Sequence, residues 1–280
     1  MTQATDIEPR KIVITGATGN IASKLRAFLD QKGGYELRLL CLNPQNDPAV
    51  KTADLRDYSE DWAETFAGAD AVVHLAVAPV PVLQWSKAHR DNIDMTLNVY
   101  HAAARHNVAR VVFASSVWTM YGRRFDKSVC RPDMDPVPGI SPYGMAKIFG
   151  ERIGRAFAAS HGLSTVALRI GTCARKSNLP GKHMLTGAWG QSCWVSNGDI
   201  CRGIEQAVLA EDISFAVLNM TSANTPVRWS LEESQAVLGY APQDSHATRV
   251  SARRKLQALV ARIFFHVLPA LSRRFIPPFW

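Results

Sequence analysis

Residues 12–22, "IVITGATGNIA", combine an apolar run with two glycines and a small residue at regular spacing. An apolar run stops at Gly16, Gly19 follows three residues later, and the small residue Ala22 stands three beyond that. The first glycine permits a sharp turn off a strand, and the second permits backbone to approach a pyrophosphate closely. A small third residue lets the next helix pack on the strand, with its N–H groups facing the phosphates. The spacing therefore predicts a strand, a dinucleotide-binding turn and a helix.

The alternation of strand and helix patterns continues along the chain. Strands are predicted over residues 11–17, 36–42, 70–77, 110–116, 164–171 and 214–221. Helices are predicted over residues 20–32, 57–69, 86–107, 141–162 and 198–210. The strands are apolar almost throughout, without period-two alternation, which is typical of parallel strands covered on both faces. The pattern predicts an α/β protein with a Rossmann-type doubly wound parallel sheet.

Three regions follow from this pattern. Residues 1–171 form the predicted NAD(P)-binding Rossmann domain. The regularity weakens after that point, and residues 172–248 are predicted to form a small C-terminal substrate-binding lobe stitched to the core. Residues 249–280 form a basic amphipathic tail.

The positive charge of the chain is concentrated in that tail. The formal net charge is +8, and the seven lysines and arginines after residue 248 account for most of it, because subtracting them leaves +1 for residues 1–248. A nearly neutral body argues against a nucleic-acid partner. Five cysteines without a C-x-x-C pair indicate a reducing compartment and no metal site. With no apolar signal segment or spanning run, we expect a cytoplasmic protein.

Residues at the ends of other strands extend the predicted cofactor site. Asp54 could accept a hydrogen bond from the adenine amino group, with Leu55 as its apolar neighbour; the alternative is an ordinary turn residue. The segment after His74 would run past the ribose, and His74 itself is interpreted as a packed strand residue. The second strand ends with Cys41 and Asn43, where an acid would bind the ribose 2′-hydroxyl. We therefore predict NAD as the cofactor, with NADP left open.

The catalytic residues are predicted from a Y-x-x-x-K spacing. Tyr143 and Lys147 are four residues apart on a predicted helix and so share one face. A lysine ammonium near a phenol favours the phenolate, which would lower the tyrosine pKa and let it accept a proton from an alcohol. The strand ending "FASS" would supply a hydroxyl for the substrate oxygen, from Ser116 rather than Ser115. The alternative is that Tyr143 packs and Lys147 is solvated.

The set of motifs resembles the extended short-chain dehydrogenases/reductases, in the NAD-dependent epimerase/dehydratase group, and is most similar to uronate dehydrogenases. The motifs, within about residues 11–220, are T-G-A-T-G-N-I-A (15–22), D-L (54–55), H-L-A (74–76), N-I-D-M-T-L-N (92–98), S-S (115–116), Y-G-M-A-K (143–147) and L-R-I-G (168–171). The resemblance implies a dehydrogenase that transfers a hydride between a nicotinamide cofactor and a sugar-acid-like or other secondary alcohol or lactol.

The resemblance also implies roles for individual residues. The catalytic residues are Ser116, Tyr143 and Lys147. The cofactor-binding residues are Gly16, Thr18, Gly19, Asn20, Ile21, Asp54, Leu55, Leu75, Ala76, Asn92, Tyr143, Lys147 and Ile170. The substrate-binding residues are Ser116, Val117, Thr172 and His183. No metal is expected.

The chain departs from the uronate dehydrogenases in the sugar-binding shell. Val117 and Trp118 stand where those enzymes have Asn-His, and Thr172 replaces a serine. His183 stands where an arginine would clamp the substrate carboxylate, and Lys182 could help only as a point charge. These changes predict a more apolar pocket and a different alcohol, ketone or lactol as substrate.

The sequence is also consistent with two other functions and with two interaction surfaces. A sugar epimerase of this group would need a larger lobe, and a non-catalytic NAD(P)-binding sensor would be expected to lose the tyrosine or the lysine. Homodimer formation through helices 86–107 and 141–162 is implied by the resemblance. In the tail, apolar residues at helical spacing with flanking arginines predict either packing on the protein or contact with a membrane surface.

Overall fold

The computed structural model describes residues 8–78, 89–124, 126, 128–139, 141–180, 187–248, 256, 259 and 260, with the backbone alone for residues 187 and 188. A seven-stranded parallel sheet has the order β3-β2-β1-β4-β5-β6-β7. Its strands are β1 (Arg10–Thr15), β2 (Tyr35–Cys41), β3 (Val50–Thr52), β4 (Ala71–His74), β5 (Arg110–Ser116), β6 (Ser164–Ile170) and β7 (Phe215–Met220). The predicted Rossmann-type sheet is confirmed.

Helices cover both faces of this sheet. In the described part of the chain, the α-helices are α1 (Asn20–Lys32), α2 (Glu60–Ala63), α3 (Met95–Arg105), α4 (Pro142–His161), α5 (Gly187–Ser192), α6 (Asn197–Leu209) and α7 (Glu232–Leu238). Short 3₁₀ helices span Glu64–Phe66 and Val117–Arg123, and a π-helical turn spans His89–Asp94. None of the described helices is long and apolar enough to cross a membrane.

Three predicted elements differ from those observed by more than two residues at an end. The helix predicted over 57–69 is shorter, because Ser59 caps it through Asp61 N–H and its last turn tightens to a 3₁₀ helix. The strand predicted over 70–77 ends at His74. The helix predicted over 86–107 contains the π-helical turn before α3 begins at Met95, and residues 79–88 lie outside the described part.

The burial of alternate β1 residues on opposite faces explains the uninterrupted apolar run. Ile12 and Ile14 belong to a core shared with α1 and α6, whereas Val13 belongs to a second core shared with α3 and α4. Side chains of successive strand residues point to opposite faces, so a sheet covered on both sides needs apolar residues at every position. The two cores therefore hold the glycine-rich turn at a fixed edge.

A third apolar cluster lies beyond the carboxyl edge of the sheet. It consists of Val117, Met120, Cys130, Trp189, Cys193 and Trp229. Backbone hydrogen bonds join the segment around Cys130 to the distant segment 228–230, through Cys130 N–H to the Arg228 carbonyl (2.8 Å) and Ser230 N–H to the Cys130 carbonyl (3.0 Å). These residues lie on both sides of the boundary predicted at residue 171.

Candidate active site

The candidate site lies where the parallel strands end. β1 pairs with β2 on one side and β4 on the other, so the chain order reverses beside β1. In doubly wound folds, ligands bind outside the carboxyl ends of the strands at such a switch point. The strand-end residues that face this edge are Thr15, His74, Ser116 and Ile170.

The glycine-rich turn has the geometry that a dinucleotide requires. Gly16 has a φ of +69°, and a Cβ there would lie 2.7 Å from the Cα of Ala76. Gly19 caps α1 without a side-chain hydrogen bond, so the first N–H groups of this helix have no side-chain cap. The Asn20 amide donates to the Cys173 carbonyl (2.9 Å), which ties the turn to the segment after β6. The turn therefore has no room for a side chain at Gly16, and the first backbone N–H groups of α1 can donate to a phosphate. We call this turn the cradle.

The predicted adenine residues lie in an ion-pair network. The Arg56 guanidinium donates to both carboxylate oxygens of Asp54, at 2.7 and 2.5 Å. This hydrogen bonding holds the pKa of Asp54 below its usual value. Leu55 is buried beside it. Asp54 therefore presents a charged, oriented carboxylate, which is compatible with accepting from an amino group.

Asn92 is a buried residue within the π-helical turn. Its Oδ1 accepts a hydrogen bond from Ala78 N–H (3.1 Å), and its Nδ2 is buried without a partner among the described residues. π-Helical turns occur often at functional sites, and a buried unpaired donor is unusual in a folded protein. Leu75 and Ala76 are half-buried at the same edge. An unpaired amide donor at this position fits a bound polar ligand.

His74 links β1 to this turn through a directional chain. The Thr96 hydroxyl donates to the Asn92 carbonyl (2.6 Å), so its oxygen accepts from His74 Nε2–H (3.2 Å). His74 Nδ1 then accepts from the Thr15 hydroxyl (2.7 Å). Burial, and secondarily the charge of Lys147, lowers the pKa of His74 to about 3. The prediction that His74 is packed within the sheet is confirmed.

The three predicted catalytic residues are brought together. Ser116 ends β5 and accepts a hydrogen bond from Trp118 N–H (3.2 Å). Tyr143, in the first turn of α4, shares a hydrogen bond with Ser116. Lys147 Nζ lies 5.6 Å from the centre of the Tyr143 ring. Ser115, the weaker candidate, donates instead to the buried Glu151 carboxylate (2.6 Å).

The predicted lowering of the Tyr143 pKa is wrong for this structure. Burial raises the pKa of Tyr143, and the hydrogen bond with Ser116 only partly opposes it. Burial also lowers the pKa of Lys147 to about 7. The ammonium expected to favour the phenolate is therefore only partly charged near neutral pH, because desolvation disfavours both charged forms.

The other predicted substrate-binding residues, Val117, Thr172 and His183, differ in their surroundings. Val117 is buried in the third apolar cluster. Thr172 forms an isolated parallel bridge with Trp194, and its backbone bonds to Cys193 and Val195 at 2.6 and 3.1 Å. His183, like Lys182, lies outside the described residues.

An aromatic ladder beside Ser116 is a feature that sequence reasoning missed. Trp118 stacks on Tyr121 with ring centres 4.5 Å apart, and the Arg124 guanidinium lies 4.3 Å from the Tyr121 ring centre. Residues three apart eclipse one another in a 3₁₀ helix, so the W-x-x-Y-x-x-R spacing was the signal. The ladder places aromatic surface next to the predicted catalytic hydroxyls.

Comparisons with known proteins agree on one family. Residues 12–184 match the NAD dependent epimerase/dehydratase family. An L-arabinose 1-dehydrogenase (NAD(P)(+)) from Haloferax volcanii is 33% identical over 258 residues, covering 86% of this chain and 99% of the relative. A uronate dehydrogenase from Pseudomonas putida is 31% identical, covering 85% of each chain.

A relative with another activity and one solved structure complete the comparison. A UDP-glucose 4-epimerase from Azospirillum brasilense is 29% identical, but the match covers only 60% of this chain and 50% of the epimerase. A solved uronate dehydrogenase from Agrobacterium tumefaciens, complexed with NAD, has a TM-score of 0.70 and 29% identity, covering 84% of this chain and 85% of that chain. The match to full-length dehydrogenases is thus more extensive than the match to the epimerase.

Proposed function

The chain belongs to the NAD dependent epimerase/dehydratase family, and from this premise we propose that it is an NAD-dependent dehydrogenase that oxidises the anomeric hydroxyl of a free sugar. The product would be the corresponding lactone. The observation that carries this proposal is the contact between the Ser116 and Tyr143 hydroxyls, with Lys147 on the same helix face beside them.

The cradle at the glycine-rich turn would hold the cofactor. Gly16 and Gly19 leave room for a pyrophosphate, and Asp54 would accept from the adenine amino group. Asn92 supplies an amide donor that has no partner among the described residues. Bound NAD supplies the hydride acceptor. The remaining predicted cofactor residues, Thr18, Asn20, Ile21, Leu55, Leu75, Ala76 and Ile170, line the same edge of the sheet.

The chain's own residues would then move one proton. Ser116 Oγ would hold the sugar hydroxyl oxygen, and the Tyr143 phenolate would accept its proton as the C–H bond breaks. Lys147 in its ammonium form would stabilise that phenolate. Because the pKa of Lys147 is about 7 in the free protein, hydroxyl acceptors from a bound ribose would be needed to keep it charged at higher pH.

A neutral sugar is the favoured substrate within this class. The buried Val117 and the stacked Trp118 and Tyr121 offer apolar and aromatic surface beside Ser116, on which the C–H face of a sugar ring can lie. L-Arabinose, named for one relative, is a neutral sugar. A hexuronic acid is the second candidate, since uronate dehydrogenases are also similar over 84–85% of this chain.

The test follows NAD reduction by absorbance with the purified full chain. The panel contains neutral aldoses, hexuronic acids and simple secondary alcohols, each with NAD and with NADP. Turnover of aldoses above uronates is expected. Turnover confined to uronates would contradict the neutral-sugar assignment, and turnover of simple alcohols alone would contradict sugar specificity altogether.

The proposal extends to location and assembly. All five cysteines are free thiols, which supports a reducing compartment, the cytoplasm.

Exposed apolar side chains on α3 and α4, namely Leu97, Met145 and Phe149, support a homodimer formed through these helices.

A membrane-surface role is proposed for the tail. Leu256, Leu259 and Val260 share one helical face and are 51–61% exposed, and the tail sequence carries seven cationic residues without an acid. We expect the full chain to sediment with vesicles containing phosphatidylglycerol and not with phosphatidylcholine vesicles. A chain lacking residues 249–280 should stay in solution and still bind NADH. Equal sedimentation of both chains would remove the tail from this role.

A further inference from the structure

The residue that usually binds the adenosine ribose is absent from the end of β2. An acid there would bind the 2′-hydroxyl of NAD, and an arginine nearby would accept the 2′-phosphate of NADP. Here β2 ends at Cys41, and the segment after it contacts the glycine-rich turn directly. The Thr18 hydroxyl donates to the Asn43 carbonyl (3.0 Å) and lies 3.1 Å from Cys41 Sγ. Discrimination between NAD and NADP at this place must therefore come from other side chains.

An arginine does stand beside this place, but it is already paired. Arg26 extends from α1 back to the turn, where one of its nitrogens donates to the Ala17 carbonyl (3.3 Å). Another nitrogen donates to the Asp47 carboxylate (2.7 Å). The side chains of Arg26 and Asp47 are only 20% and 31% exposed, so solvent screens the pair incompletely. The guanidinium thus bridges the turn and the β2–β3 loop.

The loop holds Asp47 in this position by its own geometry. Gln45 and Asn46 have φ angles of 54° and 63°, which turn the chain back towards α1. Asp47 N–H donates to the Pro44 carbonyl (3.0 Å), and Asp47 Oδ1 accepts from Ala49 N–H (3.0 Å). The hydrogen bond from Arg26 lowers the pKa of Asp47, so the carboxylate is charged at neutral pH.

We propose that the Arg26–Asp47 pair makes this protein select NAD over NADP. The inference rests on the proposed function. A 2′-phosphate arriving between the turn and the loop would meet the Asp47 carboxylate and a guanidinium whose charge that carboxylate already neutralises. The uncharged 2′-hydroxyl of NAD meets no such repulsion. The selection is thus made by Asp47, an acid six residues beyond the end of the second strand, through its ion pair with an arginine of the first helix.

The test measures dissociation constants of NADH and NADPH by nicotinamide fluorescence, for the full chain and three variants. Wild type should bind NADH more tightly. Asp47→Asn should tighten NADPH by about tenfold, the size of one charge-assisted hydrogen bond, with little change for NADH. Adding Arg26→Gln to that variant should remove the gain. The matched control is Asp61→Asn, which removes an exposed carboxylate paired with Lys51 and should leave both constants unchanged.

Three outcomes would overturn the inference. These are equal binding of the two nucleotides by wild type, an unchanged NADPH constant in Asp47→Asn, and a gain that persists without Arg26. In each case, NADH binding by the wild type leaves the proposed function standing. If neither nucleotide binds, the proposed function fails and the inference fails with it.

Discussion

At the scale of single residues, the candidate site is governed by desolvation. Lys147 is only 5% exposed, and burial lowers its pKa to about 7. Tyr143 is half-buried beside it, and burial raises its pKa. The free protein thus holds both groups near their neutral forms, in a site where a polar ligand would change the balance.

Replacing Tyr143 should lower turnover without weakening nucleotide binding. Tyr143→Phe removes the proposed proton acceptor, so we expect kcat to fall roughly 100- to 10,000-fold. The dissociation constant of NADH should change little, because the ring remains. Steady-state kinetics and fluorescence titration measure the two quantities. Full turnover by the variant would exclude Tyr143 as the acid/base, and Ser116→Ala would then be the next variant to assay.

Lys147 should make the free energy of unfolding depend on pH between about 7 and 9. Its pKa in the folded protein is below the value of 10.5 in the unfolded chain, so the unfolded state binds more protons in this window. Stability therefore rises with pH. Lys147→Met, which keeps the aliphatic stem, should flatten this rise.

The measurement is urea unfolding of the cofactor-free protein at several pH values within the window. Cysteines of the unfolded chain also titrate in this window, at about pH 8.5, but they do so equally in the wild type and the variant, so the difference between the two pH dependences isolates Lys147. An identical pH dependence in the wild type and the variant would show that Lys147 is charged in the folded state.

At the scale of elements, close packing between α4 and the sheet positions the catalytic pair. Gly150 lies against the Phe113 ring of β5, where an added Cβ would come within 2.2 Å of a ring carbon. Gly154 is similarly close to Thr165 and Tyr100. These glycines let the helix approach the strand that ends in Ser116, and they thereby bring Tyr143 to the serine hydroxyl.

Enlarging Gly150 should move the helix outwards. Alanine gains about 1 kcal/mol in helix propensity, but overpacking against Phe113 costs about 1–3 kcal/mol. We expect Gly150→Ala to be destabilised on balance and to lose turnover as the Ser116–Tyr143 contact lengthens. Thermal unfolding and kcat measure both effects. Gly198→Ala is the control, because its added Cβ meets only the flexible end of Arg202; if both variants are equally stable, the packing argument fails.

At the scale of the whole molecule, each face of the sheet has its own buried core, and the helices on one face also expose apolar side chains. The α1–α6 side forms a large buried core. On the other side, the outer surfaces of α3 and α4 leave Leu97, Met145 and Phe149 36–48% exposed. Adjacent exposed apolar side chains on packed helices are typical of an interface between protein chains.

A charge placed in this patch should dissociate the proposed dimer. Phe149→Glu would bury an unpaired carboxylate at the proposed contact, so in sedimentation velocity at micromolar concentration we expect a monomer for the variant and a dimer for the wild type. Arg155→Glu changes the charge of the same helix on the side facing Phe215 and should remain dimeric. A monomeric wild type would contradict the assembly itself.

The sheet, the glycine-rich turn and the grouping of Ser116, Tyr143 and Lys147 were all predictable from the amino-acid sequence. Turn geometry, strand burial and helical spacing are local rules, and each leaves a pattern of residue types in the chain. The catalytic and binding roles of those residues remain predictions, and so does the domain boundary at residue 171.

The protonation of the site residues and the long-range side-chain pairs could not be predicted from the sequence and follow from the folded structure. The pKa of Tyr143 is raised because of burial contributed by several distant elements, which the spacing to Lys147 does not encode. Arg26 pairs with Asp47, which is 21 positions later in the chain. Two left-handed residues of the intervening loop, Gln45 and Asn46, turn the chain so that Asp47 reaches Arg26. Desolvation and long-range contacts depend on which elements meet in space, so no stretch of sequence carries them.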